Sequence, residues 1–358
     1  MRSLSRVAAS SGAVAARQPR RNALRWLRIL AADPVDPVCA QTFADAGHKL
    51  VEKKCTQSQL VEQIPGYDGL IVRSGVRVTE EVCIPSPRCG HCGCRLTNQR
   101  ASLHVTAMQV IKAGSKLRII GRAGAGVDNI DTVAATRAGI IVMNTPGGNT
   151  AAAAELTMSL LTSAARQIPA ACASLKAGVW DRKKFGAGVE LAGKTVGVIG
   201  LGMIGSEVAR RCRVLDMTTI GFDPLVSEEK AAASGVRKVA LEELLAKSDF
   251  ITLHTPLNDA TRGLICAATL AKCKRGVFII NCARGGVVAE RDLLAALESG
   301  QVAGAAMDVF EVEPPTSGAS AALVAHPSVV CTPHLGASTE EAQKKVRHLG
   351  CVYAQNMP

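Results

Sequence analysis

The stretch KTVGVIGLGMIG, residues 194–205, constrains the chain more than any other. A short β-branched run leads into Gly200, Gly202 and Gly205 in G-x-G-x-x-G spacing, and MIGSEVARRCRV continues as a predicted helix. Inside a βαβ unit, that sequence of strand, glycine turn and helix is the dinucleotide fingerprint. Gly200 permits the tight turn, Gly202 lets the backbone approach a pyrophosphate, and Gly205 lets helix and strand pack closely. The helix N-terminus then offers free N–H groups to the anion. Asp223 closes the next β-branched run. A carboxylate there meets the adenosine ribose hydroxyls and repels a 2′-phosphate, which favours NAD over NADP. The competing reading is a glycine-rich turn without a ligand; strand, helix and Asp together weigh against it.

The flanking pattern supplies the βαβ context. Strands are predicted at 27–32, 69–74, 117–122 and 139–144, with DNIDTVAATRAG as a helix stopped by Gly139. A second series follows at 194–200, 218–223, 249–254, 276–282 and 302–309, with helices between, AERDLLAALESG among them. The almost wholly apolar run 149–167 reads as a buried helix at an interface. The fold class expected is α/β, with two doubly wound parallel-sheet domains: a Rossmann-type nucleotide-binding domain and a flavodoxin-like substrate domain, with a cleft between them. The expected division is a disordered basic extension at 1–26, a substrate domain at 27–146 with an insert at 83–110, an NAD-binding domain at 147–333, and a truncated return segment at 334–358.

The net charge of +12 raises the question of a nucleic-acid partner. Residues 1–28 carry seven Arg and no acid, and residues 83–110 three Arg and no acid, which leaves +2 for the body of the chain. No basic face remains for a phosphate backbone, and at 3% aromatics stacking platforms for bases are scarce. No apolar run approaches the roughly 18 residues of a bilayer span, so no membrane partner is expected. Cysteines such as Cys212, Cys273 and Cys331 lie singly in apolar runs, as buried thiols do. A cytoplasmic enzyme is expected, with the Arg-rich, acid-free N-terminus offering mitochondrial targeting as the alternative.

Three further stretches place polar groups after predicted strands, where an open α/β sheet holds its ligands: NCARGG, MDVFEVEPP and TPHLGAS. Hydride transfer from a secondary alcohol needs a base for the hydroxyl proton, a cation for the substrate carboxylate and carbonyl, and a carboxylate that tunes the base. His334 suits the first role, Arg284 the second and Glu313 the third. Taken singly each has an ordinary alternative: a loop His, an Arg at a helix start, a solvated Glu.

GLGMIG, NCARGG, DVFEVEPP and PHLGAS in this order resemble the D-isomer-specific 2-hydroxyacid dehydrogenases. GLIVRSGVRVTEEV, GRAGAGVDNID and ARQIPAACASLKAGVWDRKKF narrow the likeness to members that act on a small phosphorylated 2-hydroxy acid, and it covers about residues 27–82 and 111–345. The resemblance implies NAD as cofactor and Arg284, Glu313 and His334 as catalytic residues. It places Gly200, Gly202, Met203, Ile204, Gly205, Asp223, Thr255, Cys282, Ala283, Arg284, Asp308, His334, Leu335, Gly336 and Ala337 along the cofactor, and Arg73, Ser74 and Arg122 on the substrate. Arg182 matches an Arg that reaches a neighbouring subunit's site, which implies a homodimer or homotetramer. No metal is implied. Ala125 stands where the family has Thr, and Met203 where it has Arg, which removes a hydrogen bond and a charge from the cofactor's surroundings.

The insert contains RCGHCGCR, with Cys89, His91, Cys92 and Cys94 crowded into six positions. A structural zinc site wants two ligand pairs about a dozen residues apart, so this stretch is read as a looped-out insert and not a metal site. Three alternatives to a phosphorylated-acid dehydrogenase stand beside it: a glyoxylate or hydroxypyruvate reductase, an NAD-sensing corepressor-like protein, and an inactive splice product.

Overall fold

The computed structural model describes residues 26–35, 37–73, 76, 78, 110–185 and 188–346. The RCGHCGCR stretch and most of the insert lie outside the described residues, as does Ser74.

Two separate parallel sheets form. The first holds β1 (Arg28–Ala31), β2 (Lys49–Glu52), β3 (Gly69–Val72), β4 (Ile119–Arg122) and β5 (Ile141–Asn144) in the order β2-β1-β3-β4-β5. The second holds β6 (Thr195–Ile199), β7 (Thr218–Phe222), β8 (Arg237–Lys238), β9 (Phe250–Leu253), β10 (Val277–Asn281), β11 (Val302–Met307) and β12 (Val329–Cys331) in the order β12-β11-β10-β9-β6-β7-β8. The first is the flavodoxin-like order and the second the Rossmann order with one strand added, so both expected architectures are present.

The central strands are continuous apolar runs because helices cover both faces of a parallel sheet. All four residues of β9 and all five of β10 are buried, and Phe250 stacks on Phe278 with ring centroids 4.9 Å apart. Three strands carried no such signal in the sequence. β2 is an edge strand with exposed ends and no buried residue, β8 is two basic residues long, and β12 lies at the opposite edge from β8, half-buried.

The apolar run at 149–167 forms a helix, Thr150–Arg166, that buries its alanines and leucines on the helix Met203–Val214 and on β10, β11 and β12. Gln167 then turns the chain through a left-handed conformation, φ +51°, into the helix Ile168–Lys176. The chain is helical again over Val110–Ala113. Cys212 and Cys273 are buried free thiols, and Cys331 is a free, half-buried one. Among the described residues no helix is long and apolar enough to cross a membrane.

Candidate active site

The C-terminal ends of both sheets face a cleft of about 340 Å³. Residues directly after β3, β4, β9, β10, β11 and β12 line it, as expected where the strand order of an open sheet reverses. Of the residues singled out in the sequence, Arg73, Arg122, Ile204, Thr255, Cys282, Ala283, Arg284, Asp308, His334, Gly336 and Ala337 are on its wall. Met203 (58% exposed) and Leu335 (39% exposed) stand outside it. Arg182 is exposed on the segment after Ile168–Lys176, away from its own chain's cleft.

The glycine turn has the geometry its spacing requires. Gly200 sits at φ +91°, and a Cβ there would lie 2.6 Å from the His254 carbonyl oxygen. A Cβ on Gly205 would lie 1.9 Å from the Gly200 carbonyl oxygen, whereas one on Gly202 would meet nothing within 4 Å. The middle glycine is therefore bare toward open space, as close approach by a pyrophosphate demands, and no side chain caps the first turn of Met203–Val214. Asp223 takes a part the sequence did not suggest. Its Oδ2 accepts the Leu201 N–H at 2.8 Å and its Oδ1 the Leu225 N–H at 2.8 Å, so it ties the glycine turn to the end of β7. Two buried oxygens near the turn, Thr255 Oγ1 and Asn149 Oδ1, have no partner, and both residues line the cleft. Polar atoms so placed fit a polar ligand running from the turn toward His334. Gly205→Ala is expected to destabilise the fold by about 1–3 kcal/mol through overpacking and to weaken nucleotide binding; thermal unfolding with and without NAD checks this, and an unchanged melting temperature would contradict it.

His334 is held in place by β11's end. Asp308, 1% exposed, accepts from the Leu335 N–H at 2.7 Å, the Gly336 N–H at 2.9 Å and the Thr332 hydroxyl at 2.6 Å. Its carboxylate is thus turned into the 332–336 turn; the sequence placed it along the cofactor, and the structure makes it the brace of that turn. The brace holds His334 at φ +56°, a conformation few residues other than Gly adopt without support. His334 Nδ1 meets Glu313 Oε2 at 2.9 Å, which leaves Nε2 for the cleft. The hydrogen bond to Glu313 raises the imidazole above its ordinary value, against the opposing effect of burial. Burial would raise Glu313, but the hydrogen bond and charge of His334 overcome it and hold the carboxyl low.

Three guanidinium groups share the cleft. Arg284 Nε donates to Asp128 Oδ2 at 2.7 Å, a contact that joins the two sheets' loops across the cleft. Gly126 has no side chain to obstruct it: a Cβ there would lie 1.9 Å from Arg284 Nη2. Arg122 Nε is buried with no acceptor, and burial together with the repulsion of Arg284 lowers its pKa. Arg73 reaches Gln343 on the helical segment 340–346 and takes its backbone register from Asp33, whose Oδ2 accepts the Arg73 N–H at 2.8 Å. Three guanidinium groups around one opening, with only Arg284 among them paired to a carboxylate among the described residues, make an environment that an anion relieves.

Asp128, Asn149, His254 and Gln343 went unread in the sequence. GRAGAGVDN contains Asp128, but its pairing with Arg284 spans 156 residues and leaves no local signal. His254 bonds Thr252 Oγ1 at 2.9 Å, and burial pushes its imidazole down to about 4, so it stays neutral and leaves His334 as the titrating histidine of the cleft.

A nucleotide-type glycine turn, with a histidine–carboxylate pair at a cleft beneath the ends of two parallel sheets, is the layout of a two-domain nicotinamide-dependent dehydrogenase. The model of the D-isomer specific 2-hydroxyacid dehydrogenase NAD binding domain matches residues 158–336, and the chain belongs to that family. It is 49% identical to the D-3-phosphoglycerate dehydrogenase of Rattus norvegicus over 89% of this chain and 54% of that protein. The enzyme of that name from Bacillus subtilis is 45% identical over 88% of this chain and 53% of its own length. The chain thus spans about half the length of the curated relatives it matches. A glyoxylate reductase from Paecilomyes thermophila superposes with a TM-score of 0.75 at 29% identity, over 92% of this chain and 94% of that one.

Proposed function

We propose that this chain oxidises 3-phospho-D-glycerate to 3-phosphohydroxypyruvate with NAD, the reaction that opens L-serine biosynthesis. The observation that carries this reading is the convergence of Arg73, Arg122 and Arg284 on the cleft lined also by His334, whose ring Glu313 holds. A substrate with a carboxylate at one end and a phosphate at the other needs more than one cation, whereas glyoxylate offers a single carboxylate. The likeness to D-3-phosphoglycerate dehydrogenases points the same way.

Each residue then has a defined task. Arg284 holds the carboxylate and the reacting oxygen, its planar fork matching two oxygens at once. Arg73 and Arg122 hold the phosphate. His334 Nε2 takes the hydroxyl proton as the carbonyl forms. Glu313 fixes the ring through Nδ1 and stabilises the imidazolium that results. NAD, when bound, accepts the hydride. Gly200, Gly202 and Gly205 with the start of Met203–Val214 would hold its pyrophosphate, Thr255 and Cys282 would line its path, and Asp223 at the end of β7 would meet the adenosine ribose. We take 147–333 as the nucleotide-binding unit, because the helix Thr150–Arg166 packs on the second sheet.

A homodimer completes this reading. No residue of Ile168–Lys176 is buried, and Ile168 (50%), Leu175 (56%) and Trp180 (76%) are exposed together. Apolar side chains gathered beside Arg182 suit a self-complementary interface through which Arg182 enters the partner's cleft.

NAD is expected to bind at least about tenfold more tightly than NADP, because a carboxylate at the end of β7 would repel a 2′-phosphate. Calorimetric titration with each nucleotide reads this, and equal affinities would contradict it. The substrate assignment is tested by comparing turnover of 3-phosphoglycerate with NAD against turnover of glyoxylate with NADH; faster glyoxylate reduction would favour the reductase reading.

A further inference from the structure

Glu290 opens the helix Glu290–Glu298 and is 1% exposed. Its carboxylate joins two other segments. Oε1 accepts the Glu311 N–H at 2.6 Å, and Oε2 accepts the hydroxyl of Ser320, itself 3% exposed. The Glu290 N–H returns a bond to Glu311 Oε1 at 3.1 Å. A helix start can be capped by a short exposed side chain, so capping alone does not call for a carboxylate buried at this cost.

The segment it grips leads to the site. Phe310 is anchored in the core with Leu293 and Leu323, and its N–H donates to Glu313 Oε1 at 3.1 Å. The other oxygen of Glu313 meets His334. On the opposite side, a Cβ on Gly285 would lie 1.8 Å from the Phe310 carbonyl oxygen, so the same turn presses on the backbone next to Arg284. Residues 310–313 are thus wedged between the two proposed catalytic groups, and Glu290 is the buried peg that ties this turn to the helix behind it.

We propose that Glu290, with Ser320 as its second strut, is a positioning residue that sets the 310–313 turn so that Glu313 holds the His334 ring. This rests on the reading of His334 as the base. The charged groups facing Glu290 are Glu311 and Glu313. Those facing His334 are Glu313, Asp308 and Arg284, and none of these is altered by the substitutions below.

The test uses the full chain with Glu290→Gln, Glu290→Ala and Ser320→Ala, read by NMR titration of the His334 ring and by separate kcat and KM values. Glu290→Gln is expected to behave as the unmodified chain, because its amide oxygen still accepts from Glu311 and its amide nitrogen can donate to the Ser320 oxygen. Glu290→Ala is expected to lower the His334 pKa by about half a pH unit or more as Glu313 loses its orientation. It should also lower kcat about tenfold or more with KM little changed. Ser320→Ala should shift both in the same direction by less. A folded Glu290→Ala with a lowered melting temperature but unaltered His334 titration and kcat would overturn the proposal. If that variant does not fold, Ser320→Ala decides on the same two readouts. An unmodified chain whose His334 titrates at or below its ordinary value would instead sink the His334–Glu313 reading, whatever Glu290 does.

Discussion

Replacing His334 by Ala is expected to cut turnover by about a hundredfold to ten-thousandfold, the range that a positioned general base supplies. NAD affinity should hardly change, because the glycine turn is built from other residues. The pH dependence of the unmodified chain gives a second, independent reading. The bond to Glu313 favours the imidazolium, so the folded-state pKa lies above the ordinary histidine value. Alcohol oxidation needs the neutral ring; its rate should therefore rise as pH increases through that raised pKa. Carbonyl reduction needs the imidazolium and should fall over the same interval. Glu313→Gln removes the carboxylate charge that raises the ring, and should move both limbs to lower pH. Near-normal turnover in His334→Ala, or limbs of the same sign in the two directions, would contradict the assignment.

Arg284 is expected to be nearly as costly to lose. Its guanidinium is oriented by Asp128 at 2.7 Å and by the Ala283 carbonyl oxygen at 2.6 Å, and Gly126 leaves room for it. Arg284→Ala removes the cation proposed to hold the substrate carboxylate and polarise the reacting carbonyl. A loss of about a hundredfold to a thousandfold in kcat/KM is expected, comparable to removing one preorganised donor from a developing oxyanion. Arg284→Lys keeps the charge but not the planar fork, so it should recover only a small part of this loss. Steady-state kinetics on both variants decide it; a Lys variant equal to the unmodified chain would mean that charge alone is used.

The sequence carries the fold where burial is two-sided. β6, β9 and β10 are legible as apolar runs because both faces of each strand are covered, and the glycine turn is legible because Gly200 and Gly205 meet backbone that a Cβ would strike while Gly202 leaves the turn bare. β2, β8 and β12 are illegible for the opposite reason, being short strands at the sheet edges where exposure breaks the pattern. The site divides in the same way. Arg284 follows a predicted strand and could be found by position, and His334 by the PHLGAS stretch that carries it. Asp128 and Glu290 act through partners remote in sequence, and no spacing announces a contact that only the packed fold creates. Asp223 and Asp308 were found by position, yet their carboxylates bond backbone N–H groups of the neighbouring turns, a role that only the three-dimensional arrangement displays.

The most direct test of the central claim, that this cleft oxidises a phosphorylated 2-hydroxy acid, is the initial rate of NADH formation with 3-phospho-D-glycerate and with unphosphorylated D-glycerate. The rates are to be measured for the unmodified chain and for Arg122→Ala. The account predicts turnover of the phosphorylated acid with kcat/KM at least about a hundredfold above that of D-glycerate, a preference worth more than one charge-assisted pair. It also predicts that Arg122→Ala erases most of this preference. Equal rates with the two acids, or no NADH from 3-phospho-D-glycerate in the presence of bound NAD, would contradict it.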